Sequence, residues 1–153
     1  MDIKIEQAYG DIDTVKALFQ AYTQMLNIDL SFQKYKEELE GLPAKNALPG
    51  GSFYIAWCGG VPAGCIAMRP LDNERCEMKR LYVKPQFRGH GLGKALARQV
   101  IEDAKALKHK KMLLDTLASF ENAIALYKAL GFYAIEPYYH NPIADTLYLC
   151  LDL

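Results

Sequence analysis

The sequence predicts an α+β domain in which a mixed central sheet of about seven strands carries about four helices. Three observations predict it. Short runs of period-two alternation recur along the chain and are interleaved with segments of helical spacing. A glycine-rich loop joins a strand-like run to an amphipathic segment past the middle of the chain. With 153 residues, 51% of them apolar and 24% charged, the chain is large enough to bury one core and polar enough to be globular. No internal repeat or linker divides residues 1–153, so one domain is expected.

The elements follow in order. Asp2 to Ala8 alternates, with Ile3 and Ile5 on one face, and reads as an opening strand. Asp11-Ile12-Asp13 starts a helix in which Ile12, Val15, Leu18/Phe19, Tyr22 and Met25/Leu26 recur at helical spacing. A second short helix is expected through Phe32, Tyr35 and Leu39, ending at Gly41. The stretch from Leu42 to Gly51, with Pro43, Pro49 and two glycines, reads as a loop. Ser52 to Cys58 is a strand, Gly59-Gly60 a two-residue turn, and Val61 to Arg69 the returning strand. Glu74 to Val83 forms the next strand. A helix is expected over Lys94–Lys108, then a strand, Lys110 to Thr116, whose continuous apolar run suits burial on both faces. Ser119 is placed to cap a helix carrying Ala123, Leu126/Tyr127 and Leu130, closed by Gly131. Two last strands lie either side of Pro137 to Pro142.

Composition narrows the function. The formal net charge is zero, which argues against a nucleic-acid surface. The lysines at 105, 108, 110 and 111 read as a solvated helix end at the negative pole of the dipole. Met1 to Glu6 has neither a basic nor an apolar leader pattern, and no apolar run of about 18 residues could cross a bilayer. Cys58, Cys65, Cys76 and Cys150 show no C-x-x-C spacing, and no histidine stands at ligand spacing from them. Buried, reduced thiols, no metal site and a cytoplasmic location are expected.

The loop Gln86-Phe87-Arg88-Gly89-His90-Gly91-Leu92-Gly93 organises the functional reading. A strand, a glycine loop and a helix N-terminus turn backbone N–H groups toward an anion. A side chain at Gly89, Gly91 or Gly93 would hold a phosphate off the backbone, and Arg88 adds a planar cation. The spacing G-x-G-x-G is not the dinucleotide fingerprint. Nor is it a Walker loop, because Gly93-Lys94 is followed by Ala95 instead of a hydroxyl residue. Arg88 to Gly93 instead resembles the [QR]-x-x-G-x-[GA] loop of the GNAT superfamily of acyl-CoA-dependent N-acyltransferases. The element order resembles that fold across the whole chain, and Asn122 to Tyr127 with Leu130-Gly131-Phe132 resembles the second family signature.

The resemblance implies acetyl-CoA as co-substrate. It implies a coenzyme A surface made of Leu81, Tyr82 and Val83, the loop residues Arg88, Gly89, His90, Gly91, Leu92, Gly93 and Lys94, and Asn122 and Lys128. Leu81 and Val83 would serve through backbone groups, on a strand that splays from its parallel neighbour and accepts the pantetheine arm as an added strand. His90 would sit among backbone donors with its ring in solvent. Asn122 can otherwise serve an orphan donor of the first helical turn, and Lys128 can be an ordinary surface lysine.

Acetyl transfer to an amine needs a neutral nucleophile, a donor for the oxyanion and a proton for the departing thiolate. The resemblance makes Tyr127 the acid, a phenol neutral at pH 7; otherwise it is a core tyrosine between Ala123 and Leu130. It makes Glu77 the base, the alternative being an ion pair with Lys79 or Arg80. Alternation groups Glu77 with Lys79, Leu81 and Val83, but the resemblance implies a bulge in this strand that would upset the count. The acceptor pocket is expected from Tyr22, Phe32, Tyr35, Tyr138, Tyr139 and Asn141, the last three also being explicable as loop packing beside Pro137 and Pro142. The expected reaction is direct attack by a small-molecule primary amine in a ternary complex. A protein lysine or N-terminus as acceptor, and a non-catalytic acyl-CoA-binding domain, are the alternatives. A homodimer paired through sheet edges is compatible with the pattern.

Overall fold

The computed structural model describes residues 2–8, 10–26, 51–141 and 143–153. Among them the chain runs β1 (Ile3–Gln7), α1 (Ile12–Leu26), β2 (Ser52–Cys58), β3 (Val61–Pro70), β4 (Arg75–Val83), a 3₁₀ turn (Pro85–Phe87), α2 (Leu92–Ala106), β5 (Lys111–Leu117), α3 (Glu121–Ala129), β6 (Tyr133–Ile135) and β7 (Thr146–Asp152). The seven strands make one sheet in the order β1-β2-β3-β4-β5-β7-β6. Only β4 and β5 run parallel; the other neighbours are antiparallel. The expected helix through Phe32, Tyr35 and Leu39 lies outside the described residues.

Alternation along the inner strands sorts side chains into two cores. Phe53, Ile55, Cys65, Ala67 and Tyr82 pack with Val15, Leu18 and Phe19 of α1, and the Phe19 and Phe53 rings stand 5.6 Å apart. Tyr54, Ile66, Met68, Met78, Met112, Leu114 and Leu149 face the other way, onto Leu92, Leu96, Val100 and Ile101 of α2. The sheet is thus buried on both faces, each by an amphipathic helix. Asp11 starts α1, its carboxylate accepting the Thr14 N–H at 3.3 Å. Gly59 and Gly60, both at positive φ, make the expected hairpin turn.

Three expectations are corrected. Helix α2 begins two residues before Lys94 and ends two before Lys108, because Gly91 takes the left-handed N-cap position (φ 79°). Lys108 (φ 67°) reverses the chain, with the His109 N–H bonding the Ala104 carbonyl at 3.1 Å. Lys110 and Lys111 belong to the strand side of this turn and pair with Glu74 (3.0 Å) and Asp152 (2.8 Å). Ser119 does not cap α3; Phe120 holds that position, without a side-chain bond to the helix. Gly131, at φ 105°, closes α3 as expected, and the Phe132 N–H reaches back to the Tyr127 carbonyl at 3.0 Å.

Strand β4 carries a bulge. Cys65 of β3 pairs with Tyr82 and Ala67 with Lys79, so Ile66 opposes both Arg80 and Leu81. Arg80 absorbs the extra residue at φ 59°. Alternation therefore changes sense: Cys76 and Met78 face α2, and beyond the bulge so do Leu81 and Val83, while Tyr82 faces α1. The grouping of Glu77 with Leu81 and Val83 is overturned for this reason.

Candidate active site

The parallel ladder between β4 and β5 is short. It holds Arg75 to Lys111, Cys76 to Met112 and Glu77 to Leu113, and then stops. Beyond it the strands part, and a cleft of about 740 Å³ opens between them. One wall is Met78 to Val83 of β4 and the other is Leu114 to Leu117 of β5. The glycine loop and the start of α2 form one side of its mouth, and the start of α3 forms the other. Neither helix has a side-chain cap, so two sets of N-terminal N–H groups border the same cleft. Gly89 (φ 85°) and Gly91 (φ 79°) leave open space where a Cβ would stand. Gly93 is different: a Cβ there would meet Leu126 at an ordinary 3.6 Å, so the fold does not itself demand glycine.

Of the residues expected to hold the cofactor, Leu81, Tyr82, Val83, Arg88, Gly89, Gly91, Leu92, Gly93, Lys94 and Asn122 line the cleft. His90 and Lys128 are exposed and do not line it. Arg88 donates its Nε–H to the Val83 carbonyl at 3.0 Å, which ties the loop back to the end of β4.

Tyr127 lines the cleft from α3. It is only 7% exposed, and its ring meets Phe132 edge-on at 5.7 Å. Burial, and then the neighbouring Tyr22 and Asp115, push its phenol above the ordinary value. The phenol keeps its proton at neutral pH, and the same side chain both packs in the core and borders the cleft.

Glu77 is placed otherwise. It is 2% exposed and off the cleft wall. Arg69 donates Nε–H to its Oε1 at 2.8 Å, and Tyr138 donates its hydroxyl proton to Oε2 at 2.5 Å. The structure thus holds the ion pair that was the alternative for this residue, with Arg69 instead of Lys79 or Arg80 as partner. A carboxylate so occupied on both oxygens is a structural anchor.

The acceptor residues divide similarly. Tyr22 and Asn141 line the cleft; Phe32 and Tyr35 lie outside the described residues. Tyr138 and Tyr139 stand behind the wall, not on it. Their rings form an edge-to-face cluster with Tyr148, with centroids 5.3 to 5.9 Å apart, and their hydroxyls serve carboxylates. Tyr138 binds Glu77, and burial together with that charge pushes its phenol strongly up. Tyr139 donates to Asp115 Oδ2 at 2.5 Å.

Sequence reasoning missed Asp115 and Arg80. Asp115 lines the cleft; its signal was a carboxylate interrupting the apolar run Met112-Leu113-Leu114 of a strand expected to be buried. Arg80, 5% exposed, lies over the Tyr22 ring at 6.0 Å, and only the bulge puts it there. Among the described residues, no group of three His, Cys, Asp or Glu side chains is placed to hold a metal ion.

A mixed seven-stranded sheet opened between two parallel strands, with a glycine loop and two helix N-termini at the opening, defines an acyl-transferase architecture. Residues 15–132 match the model of the acetyltransferase (GNAT) family. The chain belongs to that family and is an acetyltransferase. An uncharacterised N-acetyltransferase of Schizosaccharomyces pombe is 41% identical over 145 residues, covering 94% of this chain and 89% of the relative. One from Dictyostelium discoideum is 34% identical over the whole of both chains. Among solved structures, an acetyltransferase of Streptococcus agalactiae has the same fold, with a TM-score of 0.82 at 21% identity, covering 99% of this chain and 98% of that one. The PaiA N-acetyltransferase of Thermoplasma acidophilum, in complex with coenzyme A, superposes with a TM-score of 0.77 at 17% identity over 100% of both chains.

Proposed function

We propose that the protein transfers the acetyl group of acetyl-CoA to a primary amine of a small molecule, by direct attack in a ternary complex. The observation that carries this reading is the opened ladder: β4 and β5 part beyond Glu77 and Leu113, and Tyr127 borders the space between them.

The residues present suit coenzyme A. Two uncapped helix N-termini with Lys94 and Arg88 fit a pyrophosphate. The unpaired edge of β4 offers backbone groups to the amides of an extended pantetheine arm, as an added strand would take them. Apolar side chains of Leu81, Val83 and Leu126 flank that edge. Coenzyme A bound in the Thermoplasma structure and acetyl-CoA bound in a Salmonella typhimurium neighbour, TM-score 0.76, support the same assignment. Direct attack is favoured because Cys58, Cys65, Cys76 and Cys150 are all buried and none lines the cleft. Burial pushes the Cys65 thiol strongly up and Cys76 to about 12, away from the thiolate a covalent route needs.

The test is release of free coenzyme A from acetyl-CoA, followed with a thiol reagent across amino acids, polyamines, aminoglycosides, arylamines and lysine peptides. Turnover with a small amine is expected. Turnover confined to lysine peptides would overturn the small-molecule assignment. Silence across all classes, with coenzyme A binding demonstrated by thermal shift, would overturn the transfer reaction itself.

A further inference from the structure

We propose that Asp115, held by Tyr139 on the α1 side of the opened ladder, binds the acceptor as a protonated alkyl amine and takes its proton during attack. This inference rests on the transfer reaction proposed above and names the chemical class of its acceptor.

Asp115 stands two residues beyond Leu113, the last residue of β5 that pairs with β4, where that edge of the strand borders the cleft. Met112 and Leu114 face α2, so the alternation of β5 turns Leu113 and Asp115 toward the α1 side. The carboxylate is held in place by a relay of hydrogen bonds. The Ile143 N–H bonds Asn141 Oδ1 at 2.9 Å, Asn141 Nδ2 donates to the Tyr139 hydroxyl at 3.0 Å, and that hydroxyl donates to Asp115 Oδ2 at 2.5 Å. A relay of this kind fixes one oxygen and leaves the other to a ligand. Among the described residues, Asp115 Oδ1 receives no hydrogen bond and the carboxylate has no ion-pair partner.

The contrast with Glu77 decides between the two carboxylates. Glu77 has its charge answered by Arg69, both oxygens engaged and no place on the wall. Asp115 keeps its charge facing the cleft, and a partly buried carboxylate there favours a cation. Tyr127 borders the cleft from α3, so a reacting carbonyl between the two residues has a proton acceptor on one side and a proton donor on the other.

The step balances. The bound ammonium first gives one proton to Asp115, which hands it on to solvent, and the lone pair so freed forms the C–N bond to the acetyl carbon; the second nitrogen proton then passes to Asp115. The tetrahedral adduct then breaks its C–S bond, the pair staying on sulfur, and the thiolate takes the Tyr127 phenolic proton. The proton on Asp115 returns to the phenolate through solvent. The two transfers help one another: the Asp115 charge is one of the influences holding the Tyr127 phenol up. A proton arriving on Asp115 removes that influence and strengthens the acid as the thiolate departs.

The experiment compares the wild type with Asp115→Asn, Tyr139→Phe and Glu77→Gln, each given acetyl-CoA at about pH 9. Tyramine, spermidine and propylamine, whose ammonium groups titrate at about 10, serve as acceptors requiring proton removal, and hydrazine, mostly unprotonated at this pH, serves as an acceptor already neutral. Thermal shift with coenzyme A checks folding and cofactor binding. Asp115→Asn is expected to lower kcat/KM for the ammonium acceptors by about a hundredfold or more, with hydrazine turnover within about threefold of wild type. Tyr139→Phe, which releases the carboxylate without removing it, is expected to fall between the two. Equal loss with hydrazine and ammonium acceptors, no loss, or the same selective loss in Glu77→Gln would overturn the inference. Wild-type turnover of hydrazine with none of the three ammonium acceptors would also overturn it, while leaving acetyl transfer standing. Wild-type silence with every amine, hydrazine included, would overturn the transfer reaction and this inference together.

Discussion

Burial does two things to the Tyr127 phenol. It removes water that would otherwise compete for the hydroxyl, and it raises the phenol's pKa so that the proton stays on oxygen across the neutral range. A group of this kind is a reservoir for one proton and is a poor surface for binding. Tyr127→Phe is therefore expected to lower kcat by about a hundredfold or more while coenzyme A affinity changes less than twofold. Steady-state rates and a thermal-shift titration measure the two separately. Unchanged turnover would reassign Tyr127 to packing against Phe132. The neighbouring carboxylates show why residue type alone could not rank the site. The resemblance singles out Glu77 alone as base, although Asp115 carries the same chemistry; what separates them is an arginine eight positions before Glu77, brought alongside by the β3–β4 pairing. The destinations of the Tyr138 and Tyr139 hydroxyls were hidden for the same reason, since both run to strands far away in sequence.

At the scale of elements, the strands, the Gly59-Gly60 hairpin turn and the closure of α3 at Gly131 could be read from periodicity and glycine placement. The bulge in β4 could not be read from its residues; only the family resemblance implies it. Nothing in Lys79-Arg80-Leu81 marks it, because an arginine occupies the left-handed position where a glycine would have been a signal. Its counterpart on β3 is legible only in three dimensions. A Cβ on Gly64 would stand 2.5 Å from the Tyr82 carbonyl oxygen and 3.3 Å from the Val83 Cα, both of them backbone. Gly64→Ala must push β3 and β4 apart beside the cleft. The expected result is a loss of about 1–3 kcal/mol in chemical denaturation, together with weakened coenzyme A binding because Val83 moves. Unaltered stability would mean that the two strands separate there without strain. The start of α3 was misread because Ser119 looks like a cap by residue type, yet the helix begins one residue later and leaves its first N–H groups toward the cleft.

At the scale of the whole molecule, one sheet is covered on both faces, and titratable groups are buried in its α2-side core. The Cys76 thiol is pushed to about 12, chiefly by burial, and the Tyr54 phenol to about 12 by burial and then by its hydrogen bond to Asp103. Both folded values lie above the unfolded ones, near 9 and 10. Between the two values the folded chain retains protons that the unfolded chain has lost, so stability falls as pH rises. The contribution is fully present below about pH 9 and declines as pH rises from there toward 12. Melting temperatures should therefore hold steady to about pH 9 and then drop, and a Cys76→Ala, Tyr54→Phe double variant should show a shallower alkaline decline. A melting temperature that is flat or rising through pH 11 would contradict the assignment.

The extra residue in β4 also governs who meets whom. With strict alternation, Leu81 and Val83 would share a face with Glu77 instead of with Cys76 and Met78. The added residue keeps Cys76, Met78, Leu81 and Val83 on the α2 side and Tyr82 on the α1 side, and the parted ladder lets one cleft reach from the glycine loop to Tyr22 of α1. In the proposed reaction the thioester would lie along the α2-facing row and the amine would approach from the α1 side of the same cleft. Selectivity for each partner can then be altered independently, because a substitution on one side of the sheet need not be felt on the other.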